Sequence, residues 1–187
     1  DVRFYEHHGV DPRGILRAVF ANLTSGNATG QGGSTITQQL ARNAFLTQEQ
    51  TLKRKLLEVV LAFEIESKYT KKQILEMYMN QIYFGQGCYG IQTAAHVYFG
   101  KDVKDLSLSQ CAMLAGLPNS PNYYSPFRSL EAAKYRQGIV LDQMAKYGYI
   151  SAADAQAAKA ADVHLAKQDK GKSGAGTAQY FINYVIQ

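Results

Sequence analysis

The stretch Thr51–Lys68 constrains the chain most. Leu52, Leu56, Val60 and Phe63 recur every three to four residues, and Val59 widens the stripe, so the period is that of an amphipathic α-helix. The same period returns along most of the sequence. Gly14–Thr24 carries Ile15, Leu16, Ala18, Val19, Phe20 and Leu23 at helical spacing, and a second helical stretch begins at Ser34 and runs through Thr37, Gln38, Leu40 and Ala41 to about Phe45. Lys71–Ile82 places Ile74, Tyr78 and Ile82 on one side, and further helices are predicted at Ile91–Tyr98, Leu108–Leu117, Leu130–Tyr147 and Ser151–Ala161. Ser107 or Ser109 is positioned to cap the Leu108 helix, and Pro118 and Pro121 stop it. Between these segments, Ala21–Gly33 dissolves into glycine and small polar residues, a loop, and Gly85-Gln86-Gly87 breaks the chain again. Strand signals are weak, and Tyr123–Phe127 reads as a proline-bounded connection. The expectation is an all-α domain over residues 1–165, followed over 166–187 by a linker whose core, Lys167–Gly176, is rich in glycine and lysine.

At 187 residues, with 46% hydrophobic and 19% charged residues, the chain is long and apolar enough for a packed core and unlike a disordered one. Its net charge of +5 suits an anionic partner without choosing among phospholipid, pyrophosphate and nucleic acid. No apolar run is long enough to span a bilayer. Two separated cysteines, Cys88 and Cys111, make neither a zinc signature nor a disulfide framework and are expected to be packed free thiols.

The chemistry-bearing residues concentrate in the first half. Arg54 stands four residues before Glu58, with Lys55 alongside, so a carboxylate and two cations share a helix face. On a solvated helix such a pair is worth only about 0.3–0.5 kcal/mol. Beside a phosphate site the same trio is a held acid with two anion-binding cations. Glu76 and Lys72 repeat the spacing. Gly32-Gly33-Ser34-Thr35-Ile36-Thr37-Gln38-Gln39 puts glycines, hydroxyls and amides at a helix start, where free backbone N–H groups and the helix dipole favour anions and amides favour sugars. It is neither a P-loop nor a nucleophile elbow. His7 and His8 are adjacent, point apart, and cannot chelate as a pair four residues apart would. Thirteen tyrosines and no tryptophan are compatible with a sugar groove, a membrane-contacting surface or a tyrosine-rich core. Composition and spacing name no reaction.

The motifs do. Asp1, Phe4, His7 and Gly9 match Glu-Asp-x-x-Phe-x-x-His-x-Gly from its second residue onward; Gly32–Gln39 matches Gly-Gly-Ser-Thr-x-Thr-Gln-Gln; Arg54–Glu58 matches Arg-Lys-x-x-Glu. Lys71–Asn80 matches Lys-x-x-Ile-Leu-Glu-x-Tyr-x-Asn, and Leu106–Pro118 resembles a fifth motif. In this order, over nearly the whole chain, they make the sequence resemble the glycosyltransferase family 51 domain of class A penicillin-binding proteins and monofunctional peptidoglycan glycosyltransferases.

The resemblance implies a lysozyme-like helical fold of two lobes, the smaller one hydrophobic and membrane-contacting. It implies polymerisation of lipid II into β-1,4-linked glycan strands, with inversion at the anomeric carbon and release of polyprenyl diphosphate. The family's general base is the glutamate of the first motif, which precedes the position of Asp1, so this fragment on its own is expected to be inactive. Glu58 is implied as the second required acid, orienting cations or holding a divalent metal (Mg or Mn) against the pyrophosphate. Arg42, Arg54 and Lys55 stand in for the family's cations, and Ser34, Thr35, Gln38, Gln39 and Asn43 for its sugar and phosphate ligands. Arg42 departs from the lysine common in the family. Where some members carry another arginine this chain has Gln50, with Lys53 as a substitute. Moenomycin, a mimic of the lipid-linked donor, is expected near Ser34–Asn43 and Arg54.

The implied partners are lipid II, the lipid-linked glycan, the bilayer surface and cell-wall synthesis machinery, at the extracytoplasmic face of a bacterial membrane with an anchor upstream of Asp1. The Ile15–Leu23 helix with Arg17 suits interfacial binding, and Tyr180–Val185 resembles the segment leading towards a transpeptidase domain. The main rival is a lysozyme-like hydrolase or lytic transglycosylase, which would not need the cations at 42, 54 and 55. A scaffold that lost the chemistry and a nucleic-acid-binding domain are further alternatives; no nucleic-acid module is present.

Overall fold

A computed structural model describes residues 1–25, 32–45 and 51–167. The all-α expectation holds: among the described residues there are helices and no strand. They are α1 (Pro12–Ser25), α2 (Ile36–Phe45), α3 (Leu52–Lys68), α4 (Lys71–Gln81), α5 (Ile91–Phe99), α6 (Leu108–Gly116), α7 (Leu130–Lys146) and α8 (Ala152–Ala160), with short 3-10 turns at Val103–Asp105 and Leu117–Asn119. The expected loop residues 26–31, Gln50, most of the 166–187 linker and the Tyr180–Val185 segment lie outside the described residues.

The chain divides into two compact units, Asp1–Gln81 and Ile82–Gln187. In the first, α2 packs on α3 and α4. Its core joins Phe4 from the opening segment to Leu40 and Ala41 of α2, Ile65 of α3 and Ile74 of α4, with Leu61, Met77 and Tyr78 against it. Removing this apolar surface from water is the main force holding the unit together. In the second, α6 and α8 pack on α7 through Ala112, Leu141, Ala155 and Ala158. Small residues let these helices approach closely. Inside the interface, the buried Gln137 amide donates to Ser109 O and Oγ at 2.7 and 2.8 Å. Tyr98 of α5 is fully buried, stacks on Phe127 at 5.1 Å and donates its hydroxyl to Phe84 O.

Helix starts follow local side-chain chemistry. Ser107, not Ser109, caps α6 in a capping box with Gln110, and Ser151 does the same for α8 with Asp154. Thr51 and Ser129 cap α3 and α7. The Gly85–Gly87 break is a turn in which all three residues, including Gln86, have positive φ.

Two expectations change. The apolar stripe of α3 does not face the core: Leu52, Leu56, Val60 and Phe63 are exposed, while Glu58, Ala62 and Ile65 are buried. The backbone of the opening segment presses on α3 at Ala62, where an added Cβ on Gly9 would sit 3.0 Å from Ala62 O. A small residue fits there and a leucine stripe would not. Cys88 is packed as expected, its thiol pushed up to about 11 by burial, but Cys111 is exposed.

Candidate active site

All of the candidate site residues lie in the first unit. Asp1 anchors one end. Its carboxylate accepts from the Ile36 amide at 2.8 Å and from His7 Nε2 at 3.0 and 3.1 Å. The Ile36 amide is the first of the orphan donors at the N-terminus of α2, so the anion on this helix end is Asp1 itself. Burial, helped by the charge of Lys71 and opposed by Asp11 and Glu66, holds the His7 ring below its ordinary value of 6.5. The ring is then neutral at pH 7 and carries its proton on Nε2, because a carboxylate only accepts. His8 is exposed.

The glycine-led start of α2 is largely closed on itself. Thr35 and Gln38 form a capping box: Gln38 N donates to Thr35 Oγ1 at 3.1 Å and Thr35 N to Gln38 Oε1 at 3.0 Å. Thr35 Oγ1 also donates to Gly9 O at 2.6 Å, binding the opening segment to α2. Gly9 has φ +85° and leaves no room for a Cβ. The expectation of a helix end with free amides for a ligand is therefore corrected: Ile36, Thr35 and Gln38 spend theirs internally. The Gln38 Nε2 group is buried with no hydrogen-bond partner among the described residues.

Glu58 is the acid that burial singles out. It is 0% exposed on the inner face of α3, which overturns the reading of an exposed helix pair. Lys55 Nζ reaches Glu58 Oε2 at 2.8 Å, and Arg54 Nε stands 3.4 Å from Oε1. That second contact is an ion pair without hydrogen-bond alignment, since Arg54 Nε and Glu58 Oε1 both lack a hydrogen-bond partner among the described residues. A buried carboxylate persists only when cations compensate it. Lys55 Nζ also donates to Ser34 Oγ at 2.8 Å while its side chain stays 44% exposed. Ser34, Arg54, Lys55 and Glu58 thus form one network whose charges sum to +1, with a cation presented outward.

Other expected residues sit apart. Gln39 accepts from the Tyr78 hydroxyl at 3.2 Å, and burial pushes that hydroxyl up to about 12 against the opposing charge of Arg42. Arg42 is half-buried and Asn43 exposed on the last turns of α2; among the described residues no hydrogen bond or ion pair ties Arg42 to the Glu58 network. Glu76 and Lys72 are both exposed. The acid that spacing did not single out is Glu66, which accepts from Thr37 Oγ1 at 2.6 Å and pairs with Lys71 at 2.7 Å, while Lys71 lies over the Phe4 ring. Its signal was the neighbouring motif lysine, not helix spacing.

A small polar cleft opens beside this network, lined by Asp1, Asp11, Arg17, Gly33, Ser34 and Thr35 among others. Gly33 makes it possible, since a Cβ there would lie 3.1 Å from Ile15 Cα on α1. The arrangement can bind an anion through Lys55, donate hydrogen bonds from Ser34, and hold a carboxylate group fixed at Asp1. A divalent metal on Glu58 would share its carboxylate with Arg54 and Lys55 and would need the pyrophosphate and water as its other ligands, since among the described residues no three His, Cys, Asp or Glu side chains cluster.

The chain is 48% identical over 172 residues to penicillin-binding protein 1F of Bacillus subtilis (strain 168), covering 91% of this chain and 24% of that protein. It is 54% identical over 151 residues to penicillin-binding protein 1A of Escherichia coli (strain K12), covering 81% and 18% respectively. It is also similar to the solved structure of penicillin-binding protein 1A from Haemophilus influenzae, with a TM-score of 0.50 and 28% identity, over 80% of this chain and 19% of that one. That likeness makes the helical fold lysozyme-like. The chain spans about a quarter or less of the length of these relatives. The family model described as transglycosylase matches residues 1–145, and the chain belongs to that family.

Proposed function

We propose that this chain is the glycan-polymerising part of a peptidoglycan synthase, joining lipid II units into β-1,4-linked strands with inversion and release of polyprenyl diphosphate. The observation that carries the reading is the fully buried Glu58 holding Arg54 and Lys55 beside Ser34. Charge develops on the diphosphate as the glycosidic bond to it breaks, and preorganised cations and hydroxyl donors stabilise that charge without reorganising. Lys55 and Arg54 supply the charge, Ser34 a donor, and Glu58 the fixed counter-charge that keeps both side chains in place. The acceptor's 4-hydroxyl must lose a proton as it attacks. In the family that base is the glutamate one position before Asp1. Asp1 here is a positioning residue, its carboxylate held by His7 and the Ile36 amide. Thr35 and Gln38 shape the site through their capping box, and Gln39, Arg42 and Asn43 extend the surface offered to sugar and phosphate oxygens.

The substrate's polyprenyl chain stays in the bilayer, so the enzyme works at the extracytoplasmic membrane face. Leu16, Phe20 and Leu23 are exposed along α1 with Arg13 and Arg17 beside them, the pattern of an interfacial helix. No described helix is long and apolar enough to cross a membrane. The competing reading, a lytic enzyme on the same polymer, leaves the Arg54–Lys55 cations without a task because no diphosphate departs. Supplying lipid II and, separately, finished glycan to the protein with the family's glutamate in place tests the choice. Polymer formation is expected; strand cleavage without polymerisation would favour the rival.

A further inference from the structure

Glu66 and Lys71 take no part in the chemistry proposed above, yet they form an ion pair largely out of water, with side chains 7% and 19% exposed. Replacing such a pair by apolar side chains of similar volume is often neutral or stabilising, so its use lies in direction rather than in stability. Glu66 of α3 accepts from Thr37 Oγ1 of α2 at 2.6 Å and from Lys71 Nζ of α4 at 2.7 Å, which joins three helices at one carboxylate. Its stem also lies against the opening segment, where a Cβ on Gly9 would sit 3.3 Å from Glu66 Cγ.

The grip continues to Asp1. Lys71 Nζ, fixed by Glu66, stands 4.5 Å from the centre of the Phe4 ring. Phe4 is buried and meets the His7 ring edge-on, with centroids 6.2 Å apart and planes at 82°. His7 Nε2 in turn holds the Asp1 carboxylate at 3.0 and 3.1 Å. A second hydrogen bond, at the other ring nitrogen, is the usual way to orient an imidazole. His7 Nδ1 is buried with no such partner among the described residues. The ring therefore has one hydrogen-bonded tie, to Asp1, and packing sets the rest of its orientation. Phe4 is the aromatic ring packed against it, and the cation over Phe4 is Lys71.

We infer that Lys71, held by Glu66, is a positioning residue: through Phe4 and His7 it sets where the Asp1 carboxylate meets the Ile36 amide, and with it the backbone leading to the general base. That this placement matters for turnover rests on the function proposed above; the mechanical link from Lys71 to Asp1 does not.

Lys71→Met alone strands the Glu66 carboxylate without its cation, so the test combines it with Glu66→Gln, which removes both charges and keeps an acceptor for Thr37. Lys71→Arg is the conservative control, since a guanidinium can pair with Glu66 and lie over Phe4. Both are made in the protein carrying the family's glutamate before Asp1 and read by amide hydrogen exchange and by steady-state kinetics with lipid II. In the double variant the Ile36 amide should exchange about tenfold faster while the α3 core amides keep their parental rates, and kcat should fall about tenfold with KM within about twofold of the parent. Lys71→Arg should match the parent in both readouts. Parental Ile36 exchange or parental kcat in the double variant, a rise in KM alone, or a Lys71→Arg variant as impaired as the double one would overturn the inference. If Ile36 exchange responds as expected while the parent polymerises no lipid II, the link to Asp1 stands and the function assigned to the first unit falls.

Discussion

Lys55 Nζ donates to Ser34 Oγ and to Glu58 Oε2, both at 2.8 Å, so one ammonium joins the start of α2 to the buried acid of α3 across 21 residues of sequence. Removing that charge takes away the outward-facing cation and half the compensation of Glu58. Lys55→Met should lower kcat/KM for lipid II polymerisation about 100-fold or more, in the range seen when one preorganised donor to developing charge is lost. Ser34→Ala should lower it less, about tenfold, since a neutral hydroxyl donor is worth about 1.5 kcal/mol. Steady-state kinetics on both variants checks the order, and a larger loss for Ser34→Ala would count against Lys55 as the main anion ligand.

Gly9 is irreplaceable for two reasons acting together. Its φ of +85° is strained for any other residue, and a Cβ would meet the Ala62 carbonyl at 3.0 Å. Gly9→Ala should destabilise the protein by about 2–4 kcal/mol. Urea unfolding at neutral pH reads this directly, and a variant as stable as the parent would mean that the opening segment does not bear on α3.

Much of this architecture was legible beforehand because helix formation is local. The periodicity of residues 71–82 and 108–117, the capping serine at 107 and the glycine break at 85–87 all depend on neighbours within a few residues. What could not be read was which face of α3 turns inward. Leu52, Leu56 and Val60 advertise a core stripe, yet the face chosen is the one where Ala62 admits the Gly9 backbone and Glu58 meets its cations, and that choice is made by the opening segment, α2 and α4. The same applies at the start of α2: spacing shows a run of glycines and hydroxyls, but not that Asp1, 35 residues earlier in sequence than Ile36, takes the first free amide. Glu66 escaped notice because its partners, Thr37 and Lys71, lie on other elements.

The Arg3–Asp11 pair links stability to pH. Burial raises the Asp11 carboxyl, but hydrogen bonds from Arg3 and the Gly14 amide, with the charges of Arg3 and His7, outweigh it and hold the group below its ordinary 3.8. A depressed folded value favours folding when the group is ionised. Its contribution is therefore fully present above 3.8 and is lost as pH falls through the lower folded value. Arg3→Met should destabilise the protein by about 1–3 kcal/mol at neutral pH, with the gap to the parent closing on acidification below 3.8. Denaturant titrations over that range check it; a gap independent of pH would show that Arg3 acts by packing alone.

The central claim is that a buried acid organises the cations which receive the departing diphosphate. Glu58→Gln keeps the shape of the side chain and removes its charge. It is tested in the protein carrying the family's glutamate before Asp1, by following polymerisation of lipid II alongside the circular-dichroism spectrum. A native helical spectrum with polymerisation reduced about 1,000-fold or more is the predicted result. A native spectrum with turnover near that of the parent would contradict it.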